Sequence, residues 1–157
     1  MVPALLFVLA CGRLAAPAPA CTSTSKSGHG FSVQEKTCVT PDGALTLTTR
    51  VYETAPGAAV PLTAQRACQA PRETYALQFE SITTTTADVV TIAGQPACAM
   101  DVVGTHGTSN GPWRVREIIL PTPAGRTVFT VTGTPQAFAK HAKAVDAFFI
   151  APLPTPK

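Results

Sequence analysis

Between residues 74 and 150 the spacing of apolar side chains changes once, from two to about four, and that change limits the fold. Residues 74–81 (TYALQFES) alternate, with Tyr75, Leu77 and Phe79 on one face and Thr74, Gln78 and Glu80 on the other, which is the period of a half-buried strand. Residues 88–93 and 97–103 are two apolar runs joined by Gly94-Gln95-Pro96. Gly eases the turn and Pro cannot donate inside a ladder, so the pair predicts a hairpin. Residues 113–120 and 127–132 flank Pro121-Thr122-Pro123-Ala124-Gly125 and predict a second one. From residue 135 the period becomes helical: Phe138, Ala142, Val145 and Phe149 share a stripe, Phe148 lies beside it, and Lys140, Lys143 and Asp146 lie elsewhere. Thr134 suits an N-cap, Pro135 suits the first helical position, and Pro152, Pro154 and Pro156 end the helix. Burying Phe138, Val145 and Phe149 contributes roughly 1.5–3 kcal/mol each. The expected fold class is therefore α+β: an antiparallel β-sheet meander with a C-terminal amphipathic helix packed on it.

The first half carries a weaker version of the same pattern. Residues 31–40 and 44–53 flank Pro41-Asp42-Gly43, and Leu45, Leu47, Thr49 and Val51 alternate with Thr46, Thr48, Arg50 and Tyr52. A hairpin follows, because Pro presets one dihedral of the turn and Gly accepts positive φ. Residues 54–60 read as loop. Residues 62–69 predict a short helix after Pro61, ended by Pro71, and residues 82–86 (ITTTT) an exposed strand end.

Residues 1–10 (MVPALLFVLA) are apolar and uncharged, like the hydrophobic core of a secretory signal, and far shorter than the roughly 20 residues that span a bilayer. No basic residue precedes them, which points to a start further upstream. Val8-Leu9-Ala10-Cys11 resembles a bacterial lipobox, in which the chain is cut before the cysteine and the thiol carries lipid. Ala18-Pro19-Ala20 offers ordinary signal peptidase a site instead, and a cytosolic chain stays open beside both. Residues 11–30 hold Ala, Pro, Ser, Thr and Gly with no apolar period, so they predict a flexible tether. The expected organisation is signal 1–10, tether 11–30, one domain 31–151 and a Pro-rich tail 152–157.

Five cysteines are present, with no CxxC or CxH pair to suggest zinc. Export spends Cys11 and leaves Cys21, Cys38, Cys68 and Cys98, enough for two disulfides in one of three connectivities. Cys21–Cys38 with Cys68–Cys98 is the expected arrangement; buried free thiols are the alternative. Basic residues exceed acidic ones by three and are scattered, so the chain lacks the footprint of a nucleic-acid binder.

Few residues suggest chemistry. His29 falls in the tether and His141 between Lys140 and Lys143. His106 lies in a Gly-rich stretch, residues 104–111, that lacks the phosphate-binding pattern and is not followed by a helix. Asp101, inside a strand, needs a partner such as Arg114 or Arg116 if its face is covered. A catalytic role for His106 with Asp101 requires the two side chains within hydrogen-bond reach. Arg114, Arg116 and Arg126 lie on or beside neighbouring strands, where they would form a modest basic patch. No GxSxG elbow exists, and neither a catalytic set, a metal site nor a cofactor is expected.

Two phrases carry a family resemblance. Gly94-Gln95-Pro96-Ala97 opens a meander, and Gly125-Arg126-Thr127-Val128-Phe129-Thr130 precedes a helix with Phe138 near its start and Phe148-Phe149 near its end. Residues 89–149 thereby resemble the C-terminal half of the PsbP/DcrB-like fold. The resemblance implies an α/β/α sandwich around an antiparallel sheet, in exported and often lipid-anchored proteins. It implies assembly or accessory roles in place of catalysis, and it transfers no active-site residue.

The expected protein is thus a non-catalytic accessory or binding module of the bacterial envelope, anchored by lipid on Cys11. Its partner would be an envelope protein or a small ligand. The alternative is a secreted, disulfide-stabilised small-ligand-binding or inhibitor protein released after Ala20.

Overall fold

The computed structural model describes residues 19–55, 62–107 and 111–150. Among these residues seven strands form one antiparallel sheet: β1 (Ala20–Gly28), β2 (Phe31–Val39), β3 (Leu45–Thr54), β4 (Phe79–Ile92), β5 (Gln95–His106), β6 (Pro112–Thr122) and β7 (Gly125–Gly133). Their spatial order is β1-β2-β3-β7-β6-β5-β4. Helix α1 (Ala64–Gln78) enters between β3 and β4, and α2 (Pro135–Lys140) and α3 (Ala142–Ile150) follow β7.

Strand alternation sends neighbouring residues to opposite faces, and each face has its own core. On one side Ala67, Cys68 and Tyr75 of α1 pack against Cys98, Met100, Val115, Ile119 and Val128. On the other, Ala137, Phe138 and Val145 pack on Leu45, Leu47 and Val131, while Phe148 and Phe149 reach Ala97, Ile118, Leu120 and Phe129. The result is helix, sheet, helix, with both Phe138 and Val145 buried as the stripe requires. All three anticipated hairpins form, at Thr40 to Ala44, Ala93-Gly94 and Pro123-Ala124. Gly43 and Gly94 supply the positive φ (70° and 79°) that two of these turns require.

Three expectations need correction. Residues 74–78 belong to α1, not to a strand, and the helix runs on through Pro71. Tyr75 and Phe79 are two alternation steps apart but also one helical turn apart. The chain takes the helical option, which leaves Leu77 89% exposed while Tyr75 and Phe79 are buried. Next, the tether expected over residues 11–30 overlaps β1. All nine residues of that strand are exposed, so it has no apolar pattern to read. It is held instead by its backbone pairing with β2 and by the Cys21–Cys38 disulfide. Finally, the single C-terminal helix is two. At His141 the backbone leaves helical geometry, with ψ at 23°. Asp42 of the β2–β3 turn grips both sides of the joint, accepting from Lys140 Nζ at 2.7 Å and contacting His141 Nε2 at 2.8 Å.

A candidate binding trough

Helix α1 lies chiefly over β4, β5 and β6, with Val128 of β7 at its margin. The step between helix and open sheet is a trough of about 640 Å³ running along the strands. A half-turn of the same alternation that builds the core lines its floor: Thr46, Thr48, Arg50 and Tyr52 from β3, Arg126, Val128, Thr130 and Thr132 from β7, and Val115, Glu117 and Ile119 from β6. Ala67 and Tyr75 form the α1 wall, Leu62 stands at one end, and Phe79, His106 and Trp113 stand at the other.

Glu117 sits in the middle of the floor and is only 8% exposed. Its Oε2 accepts two hydrogen bonds, from the Tyr75 hydroxyl at 3.0 Å and from Thr130 Oγ1 at 2.9 Å. Among the described residues its Oε1 has no partner, and it is not sealed from the trough. Burial pushes the Glu117 carboxyl above the usual carboxylate range, against the pull of Thr130, Tyr75, Arg50 and Arg126. Burial, together with the neighbouring carboxylate, also raises the Tyr75 phenol, so it remains a donor.

The cations nearby are engaged. Arg50 is bound through Nε to Glu35 Oε2, and this contact holds the Glu35 carboxyl below its ordinary range. The Arg126 guanidinium lies over the Tyr52 ring, 4.4 Å from its centroid. Thr46 faces Thr132 and Thr48 faces Thr130 across the β3–β7 pair, so four hydroxyl-bearing side chains border the carboxylate. The arrangement can bind: it offers one free carboxyl oxygen, several hydroxyls, and aromatic and aliphatic walls.

The residues anticipated from sequence fall in other places. Cys11 and the tail 152–157 lie outside the described residues. Cys21 is bonded to Cys38, and Cys68 on α1 to Cys98 on β5. Two disulfides are consistent with an extracytoplasmic, oxidising location. Asp101 is bound by Arg114, with Arg114 Nε to Asp101 Oδ1 at 2.9 Å, on the α2–α3 face. His106 is on the other face, ring edge to Phe79, so the two do not meet. The basic patch divides too: Arg114 and Arg116 contact the C-terminal helices, while Arg126 lines the trough. Odd and even positions on paired strands must part in this way. His29 lies in the β1–β2 turn.

Glu117 is the residue that sequence reasoning passed over. Its signal is present: Trp113, Val115, Glu117 and Ile119 share one strand face, and one carboxylate interrupts three apolar residues. Among the described residues no cluster of three or more His, Cys, Asp or Glu side chains is placed to hold a metal, and no helix is long and apolar enough to cross a membrane.

No family model matches the chain. No curated protein matches it. It is similar in structure to PA94 from Pseudomonas aeruginosa, a protein of unknown function described as a putative regulator. The identity is 13%, the TM-score 0.51, and the match covers 90% of this chain and 87% of that one. At that identity the likeness is one of fold.

Proposed function

We propose that this chain is an exported, non-catalytic binding protein of the bacterial envelope, PsbP/DcrB-like in fold and anchored by lipid on Cys11, and that its ligand occupies the trough. One observation carries the binding reading: a buried carboxyl in the floor of an open 640 Å³ trough keeps one oxygen free. Burying a polar group without a partner costs free energy, and a site built to receive a ligand is the usual place where that cost is kept. The volume falls within the range of small-molecule sites, about 300–1,000 Å³. Two disulfides support the exported reading. Anchoring at Cys11 leaves residues 12–19 between lipid and β1, a reach of up to roughly 28 Å at about 3.5 Å per residue.

Two measurements test it. Organic extraction of natively purified protein, followed by mass spectrometry, should yield a small molecule that is absent when Thr46→Trp fills the trough. The same yield from both proteins refutes the trough as the binding site. Mass spectrometry of the mature N-terminus should find a diacylglyceryl group on Cys11. A free amine on Cys21 would replace the anchored protein with the secreted one.

A further inference from the structure

Resting on that trough as the binding site, we infer that its ligand is an organic amine: an elongated, largely apolar molecule whose ammonium group pairs with Oε1 of Glu117.

The free oxygen comes first. Tyr75 and Thr130 both donate to Oε2 and tie the carboxyl plane in place, so Oε1 is presented to the trough at a fixed angle. The side chain is more than nine-tenths buried, and no described lysine, arginine or histidine forms an ion pair with it. A buried carboxylate of this kind is completed by a cation that also donates hydrogen bonds.

Second, Arg50 and Arg126 line the same trough and pull on the Glu117 carboxyl, but neither bonds to it. Arg50 is spent on Glu35, across the β2–β3 pair. Arg126 lies on the Tyr52 ring, with its backbone four positions along β7 from Thr130, about 13 Å at about 3.3 Å per residue. The trough centre is therefore left to an incoming positive group.

The wall comes third. Tyr75 stands on the α1 wall, Phe79 and Trp113 add aromatic surface at one end, and Val115, Ile119 and Val128 present aliphatic floor on either side of the carboxyl. Aromatic faces attract an ammonium through their quadrupole, and the aliphatic floor receives the body of the molecule. Thr46 to Tyr52 spans six strand steps, so the trough is about 20 Å long at about 3.3 Å per residue. The ligand is a chain-like or fused-ring amine, not a compact ion.

Three matched fluorescent probes decide the matter: dansylcadaverine, which ends in an amine; N-dansyl-6-aminohexanoic acid, which ends in a carboxylate; and N-pentyl dansylamide, which is neutral. Dansyl emission reports entry into an apolar site of the intact, disulfide-bonded chain. The amine should bind at least tenfold more tightly than the acid. Glu117→Gln should lose at least tenfold in amine affinity while leaving the neutral probe within about twofold, which shows the trough still formed. Thr46→Trp should weaken all three. If the acid binds as well as the amine, or Glu117→Gln keeps the amine affinity, the amine assignment is wrong. Loss on Thr46→Trp would then still uphold the trough. If no probe binds, or Thr46→Trp changes nothing, the trough itself fails and the amine assignment with it.

Discussion

The guanidinium of Arg114 lies over the ring of Phe138, 4.9 Å from its centroid, while its Nε and Nη2 grip Asp101. One side chain on β6 thus joins a strand carboxylate on β5 to the buried aromatic of α2. Arg116 repeats the device over Phe149, 5.3 Å away, with a longer ion pair of 3.6 Å to Asp146.

Arg114→Lys should therefore cost more than a charge-conserving exchange suggests. Lysine keeps the charge but loses both the planar fork and the stack. The pair is partly solvated, with side-chain exposures of 32% and 24%, so the loss is discounted to about 1 kcal/mol. Urea denaturation at neutral pH would check it. In a double-mutant cycle, Arg114→Lys and Asp101→Asn should be strongly non-additive.

Glu117→Gln should gain stability over the parent as pH rises. The folded Glu117 carboxyl is raised above its ordinary 4.5, so its contribution is fully present below 4.5 and is lost as pH climbs through the folded value. Glutamine stays neutral, and its carbonyl oxygen can accept from Tyr75 and Thr130 as Oε2 does. The difference in unfolding free energy should widen upward from about pH 4.5, by about 1.4 kcal/mol for each unit of elevation. Equal stabilities at pH 4 and pH 8 would contradict it.

Asp42 should behave in the opposite sense. Hydrogen bonds from Lys140, then Thr40 and His141, hold its carboxyl far below 3.8, and the Ala44 amide adds to them. Its contribution is present above pH 3.8 and fades as pH falls toward the folded value. Asp42→Asn should lower the melting midpoint at pH 6 and narrow the gap to the parent in strong acid. Because Asp42 clamps the α2–α3 joint, hydrogen exchange should rise first at residues 140–145 in the variant.

The two disulfides should differ in kind. Cys68–Cys98 closes a loop with a separation of 30 and ties α1 to a fully buried strand position. Cys68→Ala with Cys98→Ala should cost roughly 3–4 kcal/mol in loop entropy, with lost packing in addition. Cys21–Cys38 holds a strand that buries nothing. Cys21→Ala with Cys38→Ala should free the amides of Ala20–Gly28 to exchange while the cooperative transition of the core stays nearly in place.

What could be read in advance was whatever neighbours in the chain decide. Pro41-Asp42-Gly43 and Gly94 turn the backbone wherever they stand, and Phe138, Val145 and Phe149 keep one packed face across the α2–α3 joint. The extent of α1 was not legible, because Tyr75 and Phe79 satisfy two periods at once and only the sheet beneath chooses between them. The break at His141 depends on Asp42, 99 positions away. Glu117 stood in plain view as a carboxylate on an apolar strand face. Thr130 faces it across the expected β6–β7 hairpin, but Tyr75 comes from a helix that no local pattern connects to it.

The strand order has a kinetic consequence. β1, β2 and β3 are sequential neighbours, and so are β4, β5, β6 and β7, but β3 meets β7 across most of the chain. There Thr54 donates its backbone N–H to Ala124 O at 2.8 Å, and its hydroxyl to the same oxygen at 2.9 Å, spanning 70 positions. Two meanders can each assemble from local hairpins, and a single distant seam then joins them. Closing that seam should set the folding rate, so substitutions at Thr48 or Thr130 should slow refolding, while those in the β4–β5 hairpin should chiefly hasten unfolding.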